Sequence, residues 1–288
     1  MASLKEIRGR IASVRGTLKI TSAMRLISSA KLRSAQNALS GYLAYSEALE
    51  DIGRKLMRVP GLGDVAKSFA ARREGGKVAV VVTSSNQSLC GAFNMSIIKE
   101  FEAAGYDKSN TVVYAIGRKA MIAIAKAGYQ VKDLCRMADH PSYEASSSLA
   151  DSLCEAFLSG TYSRVEFIYS HCVSASNQKV IREEFLPQSP ENVQESPSAG
   201  CYDEEIDYIV EPKSEAMLEK LLRQMLRMRF YAVALDAATS EHAARTLAMQ
   251  IASDNAEDLL GELSLLHNKL RQQAITSEIL DLVGGQNQ

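Results

Sequence analysis

The spacing of apolar positions changes character twice along the 288 residues. Near the N-terminus, apolar side chains recur three and four apart through Leu4, Ile7, Ile11, Val14 and Leu18, and again through Leu32, Ala35, Leu39, Tyr42, Leu49 and Leu56. Such a stripe marks one face of an α-helix. Between the two stretches the same register passes through Thr21, Arg25 and Ser28, while Ile20, Met24 and Ile27 lie on a neighbouring face. A stripe that moves in this way predicts a helix that changes partner along its length. Three-four spacing returns through Leu218, Leu221, Met225, Met228, Ala232 and Leu235, crosses an alanine-rich run over 237–256, and resumes at Leu259, Leu260, Leu263, Leu266 and Leu270. All six prolines fall between 60 and 212, so neither flank carries the residue that most disfavours a helix interior. Unbroken helices of ~55 and ~70 residues would be ~80 and ~105 Å long, more than the depth of a compact domain. Gly9, Gly16, Gly41 and Gly53 weaken the first locally, and Gly284-Gly285 terminates the second. Pairing as a long antiparallel coiled coil hides both stripes from water.

Between the flanks the pattern shortens and alternates. Lys77–Thr83, Thr111–Ile116, Tyr129–Leu134, Arg164–Tyr169, Lys179–Leu186 and Asp207–Val210 read as strands. Met95–Ala104, Lys119–Ala127 and Ala145–Leu158 read as helices. The fold class is α/β: a central Rossmann-like domain with a largely parallel sheet, joined to the coiled coil. Residues 187–203, with three prolines, read as a loop. The expected organisation is a coiled-coil helix over 1–59, an α/β domain over 75–206, and a second coiled-coil helix over 211–284 that pairs with the first.

Composition narrows the function classes. Charged residues are 23% and the apolar class 46%, as in folded chains, and the net charge of -1 gives no global field for nucleic acid. No run approaches the ~20 apolar residues of a membrane span, and no secretory signal is visible. The five cysteines are irregularly spaced with no CxxC pair, which favours reduced thiols. Charge is nonetheless local: Lys5, Arg8, Arg10, Arg15, Lys19, Arg25, Lys31 and Arg33 face only Glu6 in the first 40 residues. An anionic partner (nucleic acid, a membrane surface or an acidic protein face) and ordinary solvated charges are the alternatives.

Catalytic patterns are thin. Cys90 follows the first strand, where α/β folds bind ligands, but no histidine lies near it and its surroundings form no phosphate cradle. A tight turn is the better reading. The four histidines show no HExxH or Cys/His metal spacing, and no carboxylates cluster.

The ordered motifs resemble a known family. Leu4-Lys5-Glu6-Ile7-Arg8-Gly9-Arg10-Ile11, Ile20-Thr21-Ser22-Ala23-Met24 and Ala30-Lys31-Leu32-Arg33 are similar to the opening helix of gamma subunits of F-type (F1Fo) ATP synthases, bacterial type. Leu89-Cys90-Gly91 with Phe93-Asn94, Ile116-Gly117-Arg118-Lys119, Tyr208–Pro212, Ser240-Glu241-His242-Ala243-Ala244-Arg245 and Asn268-Lys269-Leu270-Arg271-Gln272 continue the match to the end of the chain.

The resemblance implies the central rotor stalk of a proton-translocating ATP synthase, not an enzyme on its own. It would bind no cofactor itself, with Mg-ATP and Mg-ADP held by partner subunits. It would assemble as one copy with alpha, beta, epsilon and c-ring subunits, and with delta, a and b in the holoenzyme. It would not bind nucleic acid or span the bilayer. It would lie peripherally on the cytoplasmic side of a bacterial inner membrane. Alpha/beta contact is expected at Met24, Lys31, Arg33, Asn268, Arg271, Gln272, Thr276 and Glu278, and an apolar bearing at Ile279, Leu280 and Val283. Contact with the c-ring or epsilon is expected at Leu89, Cys90, Gly91, Asn94, Tyr208 and Glu211. Without the resemblance, a coiled-coil structural or adaptor protein is the competing class, followed by an α/β enzyme with helical arms.

Overall fold

The computed structural model describes residues 3–57, 68–71, 73, 75–187 and 215–285. In chain order the elements are α1 (Leu4–Met57), β1 (Lys77–Thr83), α2 (Phe93–Ala103), β2 (Thr111–Ile116), α3 (Arg118–Lys126), β3 (Gln130–Asp133), α4 (Arg136–Asp139), α5 (Tyr143–Leu158), β4 (Tyr162–Ser174), β5 (Asn177–Leu186) and α6 (Glu215–Gly285). The two long flanking helices are present, at 54 and 71 residues. The strand expected over 207–210 and the loop over 188–203 lie outside the described residues. The chain forms two compact units, Met1–Ala30 with Arg245–Gln288, and Lys31–Ala244.

In the first unit, α1 and α6 run antiparallel. Arg8 Nε donates to His267 Nε2 at 3.1 Å, and Arg25 donates to Gln250 Oε1. A step of 17 residues up α1 is matched by a step of 17 down α6. The positions of α1 turned inward are 4, 7, 11, 14, 18, 21, 25 and 28, an unbroken three-four alternation. Those of α6 are 249, 253, 256, 260, 263, 267, 270 and 274. Both are heptad seams.

This corrects the expected drift of the stripe. The register does not change face; the seam itself becomes polar. Thr21 and Ser28 are 8% and 3% exposed, whereas Ile20, Leu26 and Ile27 are 62, 67 and 59% exposed. Polar seam residues persist because they have partners. Thr21 Oγ1 donates to Leu18 O at 3.1 Å or shares a 2.8 Å bond with Ser253 Oγ, and the Gln250 amide continues to Asp254 Oδ1 at 2.6 Å. The α6 pattern is also revised: Leu263 is buried, but Leu259 and Leu266 point away from the seam.

In the second unit the sheet order is β3-β2-β1-β4-β5. The first three neighbouring pairs are parallel and β4–β5 is antiparallel. This is the expected largely parallel sheet. β1 and β2 are buried on both sides, which explains their continuous apolar runs. Val81, Tyr114, Phe157 and Phe167 pack with Leu222 and Phe230 of α6 on one face, while Val80, Val82, Ile97, Phe101 and Ile124 pack on the other. β4 extends beyond the expected Arg164–Tyr169 because β5 pairs with it up to Ser174–Asn177. In this unit too α1 and α6 touch: the Tyr42 and Tyr231 rings stand 4.9 Å apart edge to face.

Two local constraints hold the sheet together. Gly117 has φ +119°, and a Cβ there would collide with the Ser84 carbonyl oxygen. The close approach lets Ser84 Oγ accept from Ala120 N at 2.9 Å and Asn86 Oδ1 accept from Arg118 N at 3.0 Å, capping α3. Glu166, buried on β4, accepts from Arg182 at 2.9 Å, from Arg164 at 2.8 Å and from the Tyr106 hydroxyl. Burial pushes the Glu166 carboxyl up, but the Arg182 and Tyr106 hydrogen bonds and the Arg164 charge outweigh it and hold the group below its ordinary range.

Gly117→Ala is expected to lower stability by about 3 kcal/mol in chemical denaturation. Gly105→Ala, also at positive φ but facing open space, should cost only about 1 kcal/mol. Because the folded Glu166 carboxyl titrates below its unfolded value, its contribution is full above the unfolded pKa and fades as pH falls through the folded one. Glu166→Gln should therefore cost about 2 kcal/mol at neutral pH, and the gap to wild type should close on acidification.

Candidate functional site

The inversion in the first unit defines the candidate surface. Seam geometry fixes which positions face out, and among the described residues several large off-seam apolar side chains stand exposed. On α1, Ile20, Met24 and Ile27 stand four and three apart, so they form one outward stripe, with Met24 half-buried and Ile20 and Ile27 open. On α6, Ile251, Leu259, Leu265, Leu266, Ile275, Ile279 and Leu280 are exposed. Single exposed apolar residues are ordinary, but here they flank a seam whose own centre is polar. Covering each such side chain yields roughly 1.5–3 kcal/mol if burial is complete. A groove of about 460 Å³ beside them is lined by Arg8, Ile11, Ala12, Arg15, Ser264, His267 and Asn268, which places positive charge next to the apolar surface.

The sequence-derived residues fall as follows. Met24, Asn268, Arg271, Gln272, Thr276, Ile279 and Leu280 belong to the first unit, and all but Met24 are exposed. Thr276 Oγ1 donates back to Gln272 O at 2.9 Å, so its hydroxyl is engaged within the helix. Lys31 and Arg33 are exposed and belong to the second unit. Glu278 and Val283 lie in α6, but their side chains are outside the described residues, as are Tyr208 and Glu211 altogether.

The turn after β1 separates its residues by role. Ser85 N donates to Asn94 Oδ1 at 3.0 Å, and Asn94 Nδ2 donates to Cys90 Sγ at 3.1 Å. Cys90 is thus buried inside the turn, with Asn94 bracing it. Leu89 is different. Its φ is +68°, a conformation that disfavours an L side chain, and it stands 59% exposed. Gly91 supplies a second positive φ, +60°. The turn therefore presents one strained apolar side chain outward. Elsewhere, burial pushes the Cys154 thiol up to about 11, and burial with the Asp133 carboxylate does the same for Cys135. Thiols in that range are protonated and poorly nucleophilic at neutral pH. Among the described residues no three of His, Cys, Asp and Glu converge as a metal set, and no helix is long and apolar enough to cross a membrane.

Leu26 and Leu265 are surface residues absent from the apolar spacing traced along the sequence. Their signal was available: each is a large apolar residue outside the three-four register.

The fold is that of an α/β domain joined in sequence to a coiled coil with a polar seam and an apolar exterior. Comparison with known proteins makes this specific. The family model described as ATP synthase matches residues 3–287. The ATP synthase gamma chain of Phocaeicola vulgatus is 43% identical over 293 residues, covering 99% of both chains. That of Flavobacterium johnsoniae is 41% identical over 287 residues, covering 99% of this chain and 98% of its own. The chain belongs to the ATP synthase gamma-chain family, and is a subunit rather than an enzyme in itself. The fold is shared with a chain of the Euglena gracilis mitochondrial ATP synthase OSCP/F1/c-ring structure, at TM-score 0.64 and 18% identity over 99% of this chain and 93% of that one. It is also shared with a chain of the Tetrahymena thermophila central stalk/c-ring structure, at TM-score 0.54 and 20% identity over 81% and 99%.

The outward stripe and the seam should separate in mutation. Ile20→Ser, Leu26→Ser and Ile27→Ser should each change the stability of the chain alone by less than about 0.5 kcal/mol. Thr21→Ala should cost about 1 kcal/mol by leaving Ser253 without this partner, and Thr21→Ala with Ser253→Ala should cost less than the sum of the two singles. Urea titration of these variants beside the wild type distinguishes the effects.

Proposed function

We propose that this chain is the central rotor stalk of a proton-translocating ATP synthase, coupling c-ring rotation to ATP synthesis or hydrolysis in the alpha/beta ring. Family membership supports the complex. The observation that carries the working surface is the apolar exterior around a polar seam. In this reading, 1–59 and 211–284 form the shaft and 75–206 forms the domain gripped at its base. One copy sits with alpha, beta, epsilon and c-ring subunits, with delta, a and b completing the holoenzyme. Mg-ATP and Mg-ADP are bound and turned over on the partners. The assembly is peripheral to a bacterial inner membrane, on its cytoplasmic side.

The physics of the surface suits turning. Apolar contact has no preferred direction in its plane, so a side chain such as Ile279 or Leu280 slides in an apolar sleeve without breaking directional bonds. Charges act in the opposite way. Lys31, Arg33 and Arg271, with Asn268, Gln272, Thr276 and Glu278 nearby in sequence, pair with partner groups only at particular angles and give the alpha/beta ring a reason to respond to orientation. Met24 combines a flexible apolar body with a position on the outward stripe. Leu89, held outward by the Cys90–Gly91–Asn94 turn, is the corresponding contact of the α/β domain toward the c-ring or epsilon, together with Tyr208 and Glu211.

A probe fixed to this chain should rotate in one direction when immobilised alpha/beta ring complex hydrolyses ATP. A bound but stationary chain would favour a structural adaptor instead. Removing residues 269–288 should reduce ATP-driven proton pumping more than it reduces hydrogen-exchange protection of residues 77–186.

A further inference from the structure

We propose that α6 occupies the ligand crevice of the α/β domain and is pinned there by directional polar contacts, which lock the angular register between that domain and the helix. The starting point is topology. In the order β3-β2-β1-β4-β5, the chain leaves β1 toward β2 on one side and returns to β4 on the other. The switch point therefore lies between β1 and β4, and open α/β sheets bind their ligands outside the carboxyl ends of the strands at such a point.

Here the position is filled by the chain itself. Phe230 of α6 packs in the apolar cluster on one face of the sheet, and Ala244 packs in the cluster on the other. Between them α6 passes over the carboxyl edge with a run of small residues, Ala234, Ala237, Ala238 and Ser240. Small side chains allow the helix backbone to lie close to the strand ends. On the β2 side of this crossing, the space left among Thr83, Ser84, Ile116, Ala237 and Glu241 is about 20 Å³, room for no more than a water molecule, so α6 lies close on the carboxyl ends of β1 and β2 as well.

Close packing alone does not set rotation well. An alanine face has shallow ridges, and a slip of one residue moves a helix 1.5 Å along and about 100° around its axis. Hydrogen bonds do not survive such a slip. Three groups at the end of β4 make them. Ser170 Oγ and Ser240 Oγ are 2.7 Å apart and both residues are buried. His171 Nδ1 lies 2.6 Å from Asp236 Oδ2, and Cys172 N donates to Asp236 Oδ1 at 3.1 Å. Nearer the start of α6, Arg229 donates to Glu184 O at 3.0 Å. All of these contacts lie within the second unit.

The proposal rests on the rotor reading. If torque enters through the α/β domain and leaves through the coiled coil, it crosses these pins, and Ser170, His171, Asp236 and Ser240 are positioning residues for coupling. The test uses the holoenzyme in proteoliposomes, with ATP hydrolysis and ATP-driven proton pumping read together. One variant combines Ser170→Cys, Ser240→Cys, His171→Ala and Asp236→Ala, with Cys172→Ser to prevent mispairing. The two hydroxyls are 2.7 Å apart, so the replacing thiols face one another, and loss of free thiol on oxidation verifies the bridge before coupling is read. The enzyme is assembled oxidised and then reduced in place, so poor assembly of the unpinned form does not obscure the result.

Reduction is expected to lower protons pumped per ATP by about threefold while hydrolysis stays within about twofold, and reoxidation should restore pumping. Equal coupling in both redox states, in an enzyme whose wild-type form is coupled, overturns the pinning proposal and leaves the rotor reading standing. A wild-type chain that does not assemble with alpha and beta subunits overturns both.

Discussion

The antiparallel register of α1 on α6 in the first unit decides which side chains face outward. Polar pairs match that register: Thr21 with Ser253 inside the seam, and Arg8 with His267 and Arg25 with Gln250 across its edges. A polar residue at a seam position specifies alignment at some loss of stability, because hydrogen bonds satisfied in only one register replace apolar burial that tolerates several. Once the register is set, Ile20, Leu26 and Ile27 have nowhere to go but out. The coiled coil gives up part of its internal apolar area and leaves it at the surface.

The same division of labour runs through the second unit. Its sheet is an open, largely parallel one, and α6 packs in the apolar clusters of both its faces and meets the end of β4 at Ser170. The Gly117 approach to Ser84 and the Glu166 network serve integrity. Cys90, which follows β1 where α/β folds bind ligands, is folded inward against Ser85 and Asn94 as part of the expected tight turn, while its neighbour Leu89 is turned out. Among the described residues these polar groups are engaged in holding the fold. That agrees with its place in a family of subunits of an enzyme complex.

Much of this was legible in the sequence, for identifiable reasons. Proline-free flanks and three-four spacing located α1 and α6, and continuous apolar runs located β1 and β2 because parallel strands are buried on both faces. The seam of α1 was misplaced over residues 20–28 because apolar character was taken to mark the inside. Thr21, Arg25 and Ser28 kept perfect heptad spacing, and spacing was the better guide. Leu259 and Leu266 misled in the same way on α6. The short α4 was missed because a single turn carries no periodicity. The pinning of α6 was not visible at all, since Ser170 and Ser240 or His171 and Asp236 are brought together only by the fold.

Oxidative footprinting tests the central claim most directly, by comparing solvent access at Ile20, Leu26 and Ile27 with that at Thr21 and Ser28 in the free chain and in the assembled complex. The outward residues should be reactive in the free chain and protected on assembly, while Thr21 and Ser28 stay protected in both. Persistent reactivity of Ile20, Leu26 and Ile27 in the complex would contradict the assignment of the apolar exterior as the working surface.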